Sequence, residues 1–313
     1  MKRRLAKGAR FAWRTARNLL CALPGGQRML FPPEKLANRF GRGDADYALE
    51  VYRHHALQLH PCGFDGAARI LEAGPGRNLG TALLWWARAV SECNTGVLVV
   101  LWDVHANAHP EVAGYWAGLA RSLLIANGAA GAIDSSLTLS QCAILEAVAV
   151  GDLIPAIRYQ ICSLERLPEA LGPASFDLVF SHAALEHVRK IEEFWYLAAK
   201  LTAPSGWHSH RIDLADHGRR EGNYLEMLEW SSLAWWISMR FVPGALNRRR
   251  ACDHEALLTR HGLQILSVVR EQRDSLPVPR AYLAKPYRDL SEVELRTTAV
   301  DIVARAGASH CVS

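Results

Sequence analysis

The chain has 313 residues, with 36 Lys and Arg against 31 Asp and Glu, a formal charge of +5. Its 50% hydrophobic and 21% charged content is that of a globular protein and excludes a disordered one. The positive excess is local: residues 1–28 hold eight bases and no acid, which leaves 28 bases against 31 acids in the rest. A body at −3 lacks the basic face of a nucleic-acid-binding domain.

The basic stretch reads as a helix. At 100° per residue, Leu5, Ala9, Ala12, Trp13, Ala16, Leu19, Leu20 and Leu23 share one side, and Arg3, Lys7, Arg10, Arg14 and Arg17 lie opposite. Phe11 breaks the pattern, and Pro24-Gly25-Gly26 ends the helix. Three readings stay open: the apolar side packs on the domain, it lies in an anionic membrane surface, or the segment is a targeting sequence. Arg14 and Arg17 interrupt any secretory apolar core. No apolar run is long enough to span a bilayer, so no spanning helix is expected; with the cysteines read as reduced thiols, the expected location is cytoplasmic, with a peripheral contact at the inner membrane surface as the second reading. Seven scattered cysteines without a CxxC pair fit reduced thiols.

Residues 34–60 read as helical lead-in. Residues 68–72 form a short buried strand, followed by the glycine-rich stretch 74–80 and a helix over 79–92. The unbroken apolar run 97–102, ending at Asp103, predicts a parallel strand buried on both faces. Residues 109–154 read as a helical insertion. Strands are predicted at 157–161, 176–180 and 207–214, and a helix at 184–201. Beyond 219 come a Trp- and Leu-rich stretch at 224–241, a helix at 253–261, a strand at 263–270 and a closing helix at 291–304. The alternation implies an α/β fold with a doubly wound, mostly parallel sheet. The divisions are an arm at 1–28, a lead-in at 29–64, a core at 65–218 and a C-terminal substrate cap at 219–313.

In such sheets ligands bind beyond the carboxyl ends of the strands. Gly74 and Gly76 sit where the chain must turn tightly next to a ligand. A dinucleotide fingerprint needs glycine at position 79, where Leu79 stands. Glu72-Ala73-Gly74-Pro75-Gly76 instead fits an E/D-x-G-x-G loop, and Asp103 ends the second strand, where a carboxylate can accept from two ribose hydroxyls.

On these residues the sequence resembles the class I S-adenosylmethionine-dependent methyltransferases over roughly residues 65–215. Three more segments carry the resemblance. Ser163 to Pro168 is similar to a "DAxxLP" string, with Ser163 in place of the leading Asp. Phe176 to Ser181 with Leu185-Glu186-His187-Val188 resembles "FDLVxS…LEHV", and residues 200–206 stand at an "LKPGG" turn. The resemblance implies a Rossmann-like sheet and S-adenosyl-L-methionine as cofactor. It implies Glu72, Gly74, Gly76, Asp103, Ser163, Leu164, Ser181 and His182 as the residues around that cofactor. The string His208 to His217 resembles a bacterial subgroup often associated with sugar and surface-polysaccharide biosynthesis.

Methyl transfer needs orientation and, for a hydroxyl acceptor, a general base. His187, His210, Asp213 and His217 are the candidates at the acceptor side, while His208 and Asp216 read as solvated. No tight ligand spacing supports a metal. Trp230, Trp235 and Trp236 read as core or interface before sugar platform, and Arg248 to Arg250 as an anion site or a solvated loop. The expected activity is O-methylation of a saccharide-linked or small-molecule hydroxyl. The alternatives are an inactive methyltransferase-like scaffold that docks partners, and a nicotinamide oxidoreductase, which Leu79 disfavours. No nucleic-acid partner is expected, and the sequence does not specify an oligomeric state.

Overall fold

Seven strands form one sheet in the order β3-β2-β1-β4-β5-β7-β6. They are β1 (Arg69–Ala73), β2 (Leu98–Asp103), β3 (Ile157–Ile161), β4 (Phe176–His182), β5 (Thr202–Asp213), β6 (Leu263–Gln272) and β7 (Thr297–Ala306). The first five run parallel. β7 is antiparallel to both of its neighbours. The computed structural model describes residues 2–32, 44–92, 95–129, 137–171, 176–217 and 222–308, and the side chains of 7–32 within the first of these stretches. The expected helix start at 34 lies outside the described residues.

The longer helices are α1 (Lys2–Ala22), α2 (Ala45–Leu59), α3 (Gly80–Glu92), α4 (Tyr115–Ala129), α5 (Leu139–Val150), α6 (Ile191–Leu201), α7 (Ser232–Met239) and α8 (Ala251–Arg260). One apolar layer joins α2, α3, α4 and α5 to one face of the sheet. A second joins α6 and α8 to the other. α4 and α5 lie in the stretch 109–154, which is helical as expected. The tight turn between β1 and α3 leaves the first strand's carboxyl end open beside those of β2 and β4.

Two expectations are corrected. Residues 291–304 are not a closing helix. A short helix at Glu292–Arg296 leads into β7, buried along nearly its whole length. A strand with neighbours on both edges and helices on both faces is buried on both sides and shows no alternation, and its run of ten residues matched helix length.

The arm is also turned the other way from any expectation that its apolar side packs inward. Trp13 is 63% exposed and Leu19 60%, and Leu20 and Leu23 are exposed as well. The basic and polar side faces the C-terminal cap. Arg10 and Arg14 pair with the buried Glu226 at 3.3 and 3.2 Å. The Lys7 ammonium donates to the Glu229 carbonyl, and Asn18 donates to the Ile237 carbonyl and accepts from the Phe241 amide. Phe11, which broke the helical pattern, stacks on Trp230 with ring centroids 5.8 Å apart. Among the described residues no helix is long and apolar enough to cross a membrane. The five described cysteines are free thiols.

Candidate functional site

The loop after β1 turns through Gly74 with φ at 72°, in the left-handed region. Its amide donates to the Trp102 carbonyl at 2.8 Å, which ties the loop to the end of β2. A Cβ at Gly74 would lie 2.6 Å from the Ala184 Cβ, so no other residue fits without moving the turn after β4. Gly76 is left-handed too. Asn78 accepts from the Gly80 amide at the start of α3 and donates to the Asp44 carbonyl.

This loop opens onto a cavity of about 670 Å³, within the usual range for a small-molecule site. Glu72, Gly74, Gly76, Asp103, Ser163, Leu164 and His182 all line it, as do His187, Asp213 and His217. The sequence-derived set is thus largely gathered at one place, at the carboxyl ends of β1, β2, β4 and β5.

Two expected residues are elsewhere. His210 is fully buried beneath the sheet surface. It shares a hydrogen bond with Ser181 Oγ at 2.8 Å and another with His208 at 3.1 Å, and packs edge-on against Trp195. Burial, and then His208 and His254, hold its imidazole well below the ordinary histidine range. Ser181 spends its hydroxyl on His210 and is itself buried. A catalytic role for His210 and a cofactor contact for Ser181 are therefore both corrected. On β5, His208, His210 and Ile212 share a face, and that face meets α6 and α8 rather than the cavity. His208, and Asp216 with it, are buried rather than solvated.

Two carboxylates give the cavity its electrostatic character. Glu72 is pushed up to about 8, by burial first and the neighbouring Asp103 second. Its Oε2 has no hydrogen-bond partner among the described residues. Burial also raises Asp103, an effect offset by the His105 amide at 3.1 Å and the Asn107 side-chain amide at 3.0 Å. A ligand carrying positive charge and a diol suits such a pair. S-Adenosylmethionine offers both, with an ammonium for Glu72 and ribose hydroxyls for Asp103. His182 is held down at about 3 by burial, then by His54 and Arg211, so it faces the cavity as a neutral imidazole. Its Nδ1 lies 3.3 Å from His55 Nε2, and His55 Nδ1 lies 2.7 Å from Ser209 Oγ.

At the acceptor end, His217 Nε2 lies 3.2 Å from Asp213 Oδ2. A carboxylate only accepts, so this nitrogen donates, and in the neutral ring Nδ1 is then the atom with the lone pair. The His187 ring is 5.0 Å from that of His217. Glu186, beside His187, is buried, and burial drives its carboxyl well above the usual range, partly offset by the backbone amides of Glu186 and Asp213. Neither carboxylate oxygen has a well-formed hydrogen bond among the described residues. Glu186, His187 and His217 bring one ligand-type atom each within 4.8 Å of one another.

Some of the site was not anticipated. Tyr47 and Val51 of α2 line the cavity, as do Gln27 from the arm and Arg240, Phe241 and Gly244 from the cap. Asn247 grips the turn after β4, its amide donating to the Glu186 carbonyl and its side chain to those of Leu185 and Val188. A smaller cavity of about 220 Å³ shares His217 and Gly244 with the first and takes Arg10, Arg14 and Arg17 from the arm. Trp230 lies under Lys7 and Arg14, and Arg248 over Trp235, so these tryptophans anchor the arm and cap. Arg248 and Arg250 are buried on backbone carbonyls, which corrects both the anion-site and the solvated-loop reading for them.

Residues 114–209 match the family described as a methyltransferase domain. The match spans β3 to β5 and His182 and His187, and begins beyond the glycine loop. Among solved structures, an S-adenosylmethionine-dependent methyltransferase from Methanosarcina mazei is similar at TM-score 0.43 and 10% identity, over 80% of this chain and 97% of that one. One from Mesorhizobium loti has TM-score 0.39 and 18% identity, over 80% and 96%. An O-methyltransferase family protein from Burkholderia thailandensis has TM-score 0.43 and 12% identity, over 92% and 62%. These are distant likenesses, and no curated protein matches the chain in sequence. The matched segment is that of a methyltransferase domain, and it lies within the doubly wound sheet whose first strand ends in the glycine loop.

Proposed function

We propose that the chain transfers a methyl group from S-adenosylmethionine to a hydroxyl oxygen of a small-molecule or saccharide-linked acceptor. The observation that carries this is the His217–Asp213 pair, set in the same cavity as the glycine loop. When bound, the cofactor supplies an activated methyl on a sulfonium that leaves as a neutral thioether. The chain's own residues do the rest. Glu72 and Asp103 hold the cofactor's ammonium and ribose, and the glycine loop fixes its position. Asp213 orients His217 so that Nδ1 is free to take the acceptor's hydroxyl proton as the oxygen attacks. His187 lines the same end and supplies a second polar contact to the acceptor.

The test is a screen of hydroxyl-bearing acceptors, saccharides among them, for S-adenosylhomocysteine release. His217→Ala and Asp213→Asn should each lower kcat by about 10²–10⁴, the usual worth of a positioned general base, with cofactor affinity unchanged. Wild-type rates in both variants would sink the hydroxyl-acceptor reading. Cofactor binding without turnover on any acceptor would favour the inactive scaffold instead.

A further inference from the structure

We propose that Glu186, His187 and His217 form a binding site for a divalent transition-metal cation, at the acceptor end of the cavity. The inference keeps the hydroxyl-methylation reading but gives His217 a different part in it; it rests on that reading for the cation's role, not for its binding.

Three observations converge. The ligand atoms of these residues lie within 4.8 Å of one another, close enough to share one ion. Glu186 is buried and lines the cavity, yet neither of its oxygens has a well-formed hydrogen bond among the described residues. A buried carboxylate in that condition is costly unless a cation completes it. The third observation concerns the outer partner. His217 donates through Nε2 to Asp213, which leaves Nδ1 as the lone pair for a metal. A metal-bound histidine held by a carboxylate in this way is a recurrent arrangement, because the carboxylate fixes both tautomer and ring orientation. Asn247 adds rigidity, clamping the turn that carries Glu186 and His187 through three backbone carbonyls.

Two imidazoles and one carboxylate favour a first-row ion such as Mn²⁺, Fe²⁺, Co²⁺ or Zn²⁺ over Mg²⁺, which prefers all-oxygen ligands. Three protein ligands leave coordination positions open, as a catalytic rather than a structural site requires. The acceptor's hydroxyl oxygen takes one of them. The cation lowers that hydroxyl's pKa, and its proton passes to solvent. The oxygen–methyl bond then forms as the methyl–sulfur bond breaks, with the electron pair going to sulfur. His217 Nδ1 serves the cation in this arrangement instead of taking the proton itself.

The experiment is equilibrium dialysis of the full-length chain against Mn²⁺, Zn²⁺ and Mg²⁺, with metal quantified per chain and S-adenosylmethionine affinity measured on the same samples. One equivalent of Mn²⁺ or Zn²⁺, held more tightly than Mg²⁺, is expected. Glu186→Gln and His217→Ala should abolish that equivalent, and Asp213→Asn should weaken it by about 10–100-fold. All three should keep cofactor binding, which also reports that they fold. Co²⁺ loaded into the wild-type chain should show an absorption spectrum that His217→Ala loses. A wild-type chain that binds the cofactor but no cation overturns the proposal and leaves the methylation reading standing. Retention of the full equivalent by Glu186→Gln and His217→Ala overturns it as well. Cation binding without any cofactor binding keeps the site and overturns the reading of its role.

Discussion

Glu72 shows how a single side chain links burial to binding. Burial and Asp103 hold it at about 8, so near neutral pH much of it is protonated. A cofactor ammonium prefers the ionised form, and binding must then release a proton. Affinity for S-adenosylmethionine should therefore rise from pH 6 towards 8, where the ammonium itself starts to deprotonate. Titration calorimetry in buffers of different ionisation enthalpy reads the released proton directly. Glu72→Gln should flatten the rise and cost about 1.5–3 kcal/mol of binding at pH 8, the worth of a charged hydrogen bond. An unchanged slope in that variant would show that the proton comes from elsewhere. Gly74 makes a complementary case. Its left-handed backbone and the 2.6 Å approach to Ala184 predict that Gly74→Ala abolishes cofactor binding, with the thermal midpoint lowered as well.

Among the elements, α1 is held chiefly by polar and ring contacts, with Cys21 alone of its described side chains in a buried apolar cluster, beside Met239, Val242 and Ala245. Asn18 is buried and satisfied on both sides by the segment around α7. Asn18→Ala should cost about 1–3 kcal/mol, the penalty for orphaning such groups. Hydrogen exchange across residues 2–22 should rise in step. A sequence shows which helical faces are apolar and which are basic, but not which face meets the body. Here the partners, Glu226 and Glu229, lie more than 200 residues away. Glycine loop, Asp103, His187 and the five parallel strands were all legible because each depends on local spacing. The metal-type cluster was not, since Glu186 and His217 come together only through the turn that Asn247 holds and the exit of β5. β7 was misread for a different reason. Its β-branched Thr297, Thr298, Val300, Ile302 and Val303 point to a strand, but it is buried on both faces, so no alternation of apolar and polar residues marks it.

At the scale of the molecule, arm, sheet and cap meet around the acceptor end. A chain shortened to begin at Gln27 loses the cover on Trp230 and the three arginines of the smaller cavity. It should lose turnover on the acceptor more than affinity for the cofactor, read as kcat/KM against calorimetric Kd. Arg250 is the corresponding brace on the cap side. It is fully buried and donates to the carbonyls of Leu214, Glu294 and Thr297, so it joins the exit of β5 to the start of β7. Arg250→Met should cost about 3 kcal/mol or more by leaving these carbonyls without a donor. The placement of β7 also bears on how the chain assembles during synthesis. The last strand in chain order lies inside the sheet, so β5 keeps a bare edge, and β6 has no place to dock, until β7 leaves the ribosome. Nascent chains stalled before Thr297 should thus be the most prone to aggregate and the most readily bound by chaperones.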